Sequence, residues 1–207
     1  MKVKICGITN RDDALAAIDA GADALGFNFA EEAKAKKRFI DPEDARTIIE
    51  ELPSFIVTVA VTVNASAGQL REYLTFIDRV QLHGEESAEL AVQFGHRTIK
   101  ALRIGPNFTP DSVNRYNVGS VLLDAFDATA RGGTGKTADW TLARKTVEAA
   151  HRPILLAGGL TLENVAEAVR IVRPYGVDVS SGVEKELGKK DHDKLRRFVR
   201  EAKLSLP

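Results

Sequence analysis

At 207 residues, with 44% hydrophobic and 28% charged side chains, the chain has globular composition and enough length to bury a core without metal or disulfide staples. Its 29 basic and 29 acidic residues cancel, so no global charge points to nucleic acid or an anionic membrane as partner. A single cysteine, Cys6, excludes an intramolecular disulfide and a cysteine-rich zinc site.

The first residues, Met1-Lys2-Val3-Lys4-Ile5, run straight into a strand pattern without the apolar stretch of a secretory leader, so a cytoplasmic location is expected. No uninterrupted apolar run approaches the 18 or so residues of a membrane span. Val3 to Cys6 reads as a first strand. Asn10 then caps a helix with Asp12 and Asp13 in its first turn and Ala14, Leu15 and Ile18 at helical spacing. A second strand, Ala24 to Phe27, precedes a run containing Lys34, Lys36, Lys37 and Arg38, which reads as solvated loop or as a carboxylate-binding arginine. Asp41-Pro42 opens the next helix as cap and first-turn proline. Further apolar runs follow at Ile56 to Val63, Arg79 to Leu82, Thr98 to Ala101, Ser120 to Leu123, Pro153 to Leu156 and Gly176 to Val179. Thr161 is a cap candidate for a helix carrying Val165, Ala168, Val169 and Val172, and a closing helix spans roughly Asp191 to Lys203.

That makes eight short runs, each suited to a strand buried on both faces, alternating with amphipathic stretches from end to end. The expected fold class is α/β, a single (β/α)8 TIM barrel that occupies residues 1–207 as one catalytic domain. An open doubly wound sheet is the rival, but the Gly-x-Gly-x-x-Gly fingerprint of its dinucleotide-binding form is missing after the first strand.

In a barrel of this kind the chemistry sits where strands exit into helices. Those positions are Cys6, Asn28, Asn64, His83, Arg103, Asp124, Gly158-Gly159 and Ser180-Ser181-Gly182. The last two exits read as a phosphate site, since Gly158, Gly159, Ser180, Ser181 and Gly182 let backbone N–H groups approach an anion and a helix starting near Thr161 would aim its dipole there. The alternative is that the glycines only make tight turns. Cys6 and Asp124 are the candidate acid–base residues; a buried inert thiol and a capping or ion-paired carboxylate are the alternatives. His83 is a polar contact or a structural hydrogen-bonder, and its spacing to the other histidines gives no metal pattern. Ala130 to Thr137 resembles a P-loop with alanine at its first glycine. It lies several residues beyond the strand that ends near Asp124, and a glycine-rich lid beside that site is the better reading.

Taken in order, Lys4-Ile5-Cys6-Gly7-Ile8-Thr9, Gly21 to Phe27, Val80-Gln81-Leu82-His83-Gly84, Leu122-Leu123-Asp124-Ala125, Gly132-Gly133-Thr134-Gly135, Asp139-Trp140, Leu156 to Leu160 with Glu163-Asn164-Val165, Gly176 to Glu184 and Gly188-Lys189-Lys190-Asp191 span the whole chain. This combination resembles the phosphoribosylanthranilate isomerase family of tryptophan biosynthesis. The resemblance implies an Amadori rearrangement of N-(5'-phosphoribosyl)anthranilate, with Asp124 as general acid opening the furanose ring and Cys6 as general base removing the C2' proton. It further implies that Arg38 holds the anthranilate carboxylate and that backbone around Gly159, Ser181 and Gly182 holds the phosphate; His83 and Asp178 are further candidate substrate contacts. No redox or metal step is involved, so no cofactor is expected. The partner implied is a small phosphorylated molecule rather than nucleic acid or membrane, and the sequence names no protein partner. A thiol near its ordinary pKa needs basic or dipolar surroundings to act as a base at neutral pH.

One departure stands out. The family carries a Pro-Ser-Pro-Arg-type loop after the second strand, where this chain has Ala33-Lys34-Ala35-Lys36-Lys37-Arg38-Phe39. The arginine is kept and its rigid frame is not. Two other classes compete: a relative acting on a different phosphorylated sugar, which would not need Arg38, and a non-catalytic phosphate-binding barrel, which would tolerate any residue at positions 6 and 124.

Overall fold

The computed structural model describes residues 1–125 and 139–205. Eight parallel strands, β1 (Lys2–Cys6), β2 (Ala24–Asn28), β3 (Val57–Thr62), β4 (Arg79–Leu82), β5 (Thr98–Ile104), β6 (Ser120–Ala125), β7 (Ile154–Leu156) and β8 (Gly176–Val179), pair in sequence order. Strand β8 returns to β1, so the sheet closes into a barrel with no free edge. Around it lie α1 (Arg11–Asp19), α2 (Pro42–Glu50), α3 (Ala67–Tyr73), α4 (Ala88–Val92), α5 (Trp140–Ala149), α6 (Val165–Val172) and α7 (His192–Leu204). A 3-10 turn, Pro110–Arg115, follows β5. Among the described residues no helix is long and apolar enough to cross a membrane.

Strand side chains alternate between two cores because the strand period is two. On β1, Val3 and Ile5 join the large layer between barrel and helices, which also takes Val165, Ala168, Val169 and Val172 of α6 and Leu195, Phe198 and Val199 of α7. Lys4 and Cys6 have the other parity and point into the barrel. The interior is filled by a compact aliphatic plug of Val59, Ile99, Ala101, Leu122, Leu155 and Ala157. Above this plug, toward the carboxyl ends of the strands, the inward residues become polar. This switch creates the site.

The helix starts follow the expected chemistry with one exception. The side chain of Asn10 accepts from the backbone N–H of Asp13, and that of Asp41 accepts from Glu43 N–H with Pro42 in the first turn. Thr161 does not cap a helix. Helix α6 begins at Val165, and Thr161 instead anchors a preceding turn by donating its backbone N–H to Asn164 Oδ1 at 2.8 Å. The dipole of α6 therefore starts farther from the Gly158-Gly159 loop than expected. A small antiparallel hairpin, β9 (Glu184–Glu186) with β10 (Lys189–Lys190), follows β8 and was not foreseen.

Candidate active site

The polar inward residues line a cavity of about 570 Å³ at the carboxyl end of the barrel, a size suited to a small-molecule ligand. Cys6, Arg38, His83, Asp124, Gly158, Gly159, Asp178, Ser180 and Ser181 all border it, as do Asn28, Lys36 and Arg103. Gly182 and Asn64 do not. The backbone of Gly182 packs on the Leu160 carbonyl, where an added Cβ would lie 2.0 Å from the oxygen, so this residue locks two loops together from behind. Asn64 accepts the Glu85 N–H at 2.8 Å and supports the loop after β4.

The wall formed by β1 and β8 is densely charged. Register places Lys4 beside Asp178, and Lys4 Nζ donates to Asp178 Oδ1 at 2.7 Å with both side chains buried. Burial disfavours the Lys4 cation, but Asp178 and Cys6 outweigh it and hold its pKa above the ordinary lysine value. Lys190 reaches in from the hairpin, fully buried, donating to the carbonyls of Cys6 (2.7 Å) and Ser180 (3.2 Å) and to Glu184 Oε1 (3.2 Å). Its pKa is lowered, chiefly by burial. The Cys6 thiol lies among these groups. Burial pushes its pKa up, Lys4 pulls it down, Asp178 pushes it up again and Lys190 pulls it down, with a net rise. The basic surroundings expected of a thiolate are present, yet desolvation outweighs them, and the thiol holds its proton at neutral pH.

The opposite wall is built from hydrogen bonds. Asp124 at the end of β6 accepts its neighbour's N–H, Ala125 to Oδ1 at 2.8 Å, and its Oδ2 lies 3.2 Å from His83 Nε2. Gln81, two residues before His83 on the inward face of β4, places its amide nitrogen 3.2 Å from His83 Nδ1. An amide donor there makes Nδ1 the acceptor and puts the ring proton on Nε2, facing Asp124. The other end of this amide, Gln81 Oε1, is buried with no hydrogen-bond partner among the described residues, and so is Ser180 Oγ.

Arg38 is not part of a solvated basic loop. Glu31–Lys36 forms a 3-10 turn, Lys37 ends it in the left-handed conformation, and Arg38 then turns inward and is buried. Its Nε and Nη2 grip Glu184 Oε1 and Oε2 at 2.8 Å each. One edge of the guanidinium is thus committed to the protein while the residue still borders the cavity. Burial raises the Glu184 carboxyl, but Arg38 and Lys190 outweigh it and hold it below the usual range.

Gly158 shows why glycine is needed beside Asp124. Its φ is +84°, and a Cβ there would lie 2.4 Å from Ala125 N and 2.9 Å from Asp124 Oδ1. The loop after β7 thereby comes into contact with the candidate acid. The P-loop look-alike, Ala130 to Thr137, and with it the Gly132 to Gly135 lid, lies outside the described residues.

The family model for N-(5'phosphoribosyl)anthranilate (PRA) isomerase matches residues 3–201. The chain belongs to this isomerase family. An N-(5'-phosphoribosyl)anthranilate isomerase of Pelobacter propionicus is 49% identical over 205 residues, covering 98% of this chain and 96% of the relative. The crystal structure of phosphoribosyl anthranilate isomerase from Thermotoga maritima aligns with a TM-score of 0.88 at 41% identity over 98% of each chain. Another solved isomerase, in complex with reduced 1-(o-carboxyphenylamino)-1-deoxyribulose 5-phosphate, aligns with a TM-score of 0.83 at 40% identity, again over 98% of each chain.

Four residues of this phosphoribosylanthranilate isomerase family member border or buttress the site without having been singled out from sequence: Lys4, Gln81, Glu184 and Lys190. Two of them carried a usable signal. Lys4 and Gln81 each stand two residues before a candidate, Cys6 or His83, and so share its strand face. Glu184 and Lys190 depend on a hairpin whose strands span three and two residues, too short to announce itself.

Proposed function

We propose that the barrel catalyses the Amadori rearrangement of N-(5'-phosphoribosyl)anthranilate to 1-(2-carboxyphenylamino)-1-deoxyribulose 5-phosphate by general acid–base catalysis. The observation that carries this reading is the convergence of Cys6 and Asp124, from strands on different sides of the barrel, on one cavity that also exposes Arg38 and the backbone of Gly159 and Ser181. The relative solved with a reduced form of this product supports the substrate class.

In this mechanism Asp124 protonates the ribose ring oxygen, the C1'–O bond breaks, and the anilinic nitrogen supplies its electron pair to form a Schiff base. The C2' proton is then acidic, and Cys6 in its thiolate form removes it. The resulting enolamine tautomerises to the ketose, so atoms and electrons balance without an external oxidant. His83 orients Asp124. The guanidinium N–H groups of Arg38 that Glu184 leaves free take the anthranilate carboxylate. The backbone of Gly158, Gly159, Ser180 and Ser181 takes the phosphate, with Gly182 holding the two loops together from behind. Asp178 and the open Gln81 Oε1 face the sugar hydroxyls. Activity is tested by adding purified protein to freshly made phosphoribosylanthranilate and following loss of anthranilate fluorescence. Decay no faster than in buffer alone would sink the proposal.

A further inference from the structure

The sequence offers one thiol, and the structure buries it, which makes its deprotonation the most demanding step for any base chemistry at this site. What surrounds Cys6 can be traced element by element. From its own strand comes Lys4, one pleat deeper and buried, ion-paired to Asp178, with its ammonium on the same side of the strand as the thiol. From β8 comes Asp178, and from β10 comes Lys190, whose amine is spent on the Cys6 and Ser180 carbonyls and on Glu184. From β2 comes Gly26, register partner of Cys6, with no side chain at all.

Gly26 explains how two side chains of the same strand meet. A Cβ on it would lie 2.9 Å from Cys6 Sγ and 3.0 Å from Lys4 Nζ, so both atoms occupy the space that any other residue would fill. The vacancy lets the ammonium rise toward the sulfur. Lys190 is differently placed, because its donors point at two backbone carbonyls and at Glu184. Lys4 is therefore the cation free to follow a developing thiolate, and Asp178 is the anion that competes for it.

From this geometry we infer that Lys4 is the positioning residue of the thiol, an ammonium shared between Asp178 and Cys6 whose transfer toward sulfur stabilises the thiolate. The inference deepens the reading of Cys6 as base and rests on it for its functional meaning. It concerns the empty enzyme, so it is measured without turnover.

The experiment titrates Cys6, the sole cysteine, by thiolate ultraviolet absorbance and by the rate of iodoacetamide alkylation against pH, with Cys6→Ser as blank. Lys4→Met, similar in shape and uncharged, is expected to raise the titration midpoint by at least about one pH unit. Asp178→Asn is expected to lower it, because Lys4 then has only the sulfur to serve. General loosening of the barrel would move both variants the same way, so the opposite signs are the signature. In the isomerase assay Lys4→Met should lose at least about tenfold in kcat at neutral pH, with KM within about twofold and the loss shrinking as pH rises. Should Lys4→Met fail to fold, Asp178→Asn alone decides: an unchanged or raised midpoint overturns the inference, as does an unchanged midpoint in a folded Lys4→Met. If the midpoints move as expected while Cys6→Ser keeps full turnover, Lys4 still tunes the thiol and only the assignment of Cys6 as base fails.

Discussion

The β1–β8 wall and the β4–β6 wall face each other across one cavity, yet they bury polar groups by different means. Around Cys6 the protein packs Lys4, Asp178, Lys190, Glu184 and Arg38, all buried and linked in ion pairs of 2.7 to 3.2 Å. Around Asp124 it uses a histidine, an amide and a backbone N–H. Desolvating five charges is expensive unless each has a partner. The protonation of the thiol is therefore set by a balance in which Lys4 and Lys190 act against burial and Asp178. The Asp124 wall is oriented rather than balanced, with the Ala125 N–H on Oδ1 and the His83 ring, itself set by Gln81, beside Oδ2.

The largest expected effect tests both walls together. Asp124→Asn and Cys6→Ser should each lower kcat at neutral pH by at least about 10²-fold, the usual worth of a positioned acid or base, with KM little changed. The walls should differ in pH dependence. Burial raises the Cys6 pKa, so the thiolate fraction and kcat/KM increase as pH rises toward that raised value. Asp124→Asn should keep this alkaline-going rise and Cys6→Ser should lose it. Near-full turnover in Cys6→Ser would remove it as the base and put Asp178 next.

Arg38 joins the charged wall to the ligand. Arg38→Ala should weaken substrate binding by about 2–3 kcal/mol through loss of a charge-assisted pair. It should also lower stability by about 1–3 kcal/mol, because among the described residues Glu184 then keeps only Lys190 as a charged partner. A lowered denaturation midpoint with unchanged KM would make Arg38 a strut for Glu184 and move carboxylate recognition to Lys36, which also borders the cavity.

Gly158→Ala probes the other wall by backbone alone. The left-handed φ and the contact with Asp124 Oδ1 predict a stability loss of about 1–2 kcal/mol and a kcat reduced about tenfold as the carboxylate is displaced. Full activity at lowered stability would show that the loop after β7 yields without disturbing the acid.

The barrel was legible because its signals are local: eight apolar runs at regular spacing, capped helices between them, and reactive residues directly after the runs. The positions of Cys6, Asp124, His83 and the glycine loops follow from that pattern. The charged wall was much less legible. Lys190 meets Cys6 across a sequence separation of 184 residues, and Arg38 meets Glu184 across 146, and no periodicity encodes such pairs. Composition even misleads here. Arg38 sits in a lysine-rich run that reads as solvated, and only the 3-10 turn ending at Lys37 redirects it inward. Thr161 failed for a related reason, since Asn164 competes for the same turn and moves the helix start.

The smallest expected effect lies in acid stability, and it tests whether the charged wall is assembled in solution. Glu184 and Asp13 both have carboxyls held below their ordinary values of 4.5 and 3.8. For Glu184, burial acts upward and is outweighed by Arg38 and Lys190; for Asp13, burial is outweighed by the Lys190 N–H, His192 and Asn10. A carboxyl with a depressed folded pKa binds fewer protons folded than unfolded. Its stabilisation is complete above the unfolded value and is lost as pH falls through the folded one. The urea midpoint should therefore hold steady from neutral pH down to about 5 as far as these groups are concerned, and fall below about 4.5. Glu184→Gln should start lower at pH 7, because an amide cannot take the two charge-assisted bonds of Arg38, and should fall less steeply in acid. The gap between the two proteins should narrow as pH drops. Parallel curves would mean that the Arg38–Glu184 fork is open in solution, which would free the whole guanidinium for the ligand and make the Arg38→Ala loss a pure binding effect.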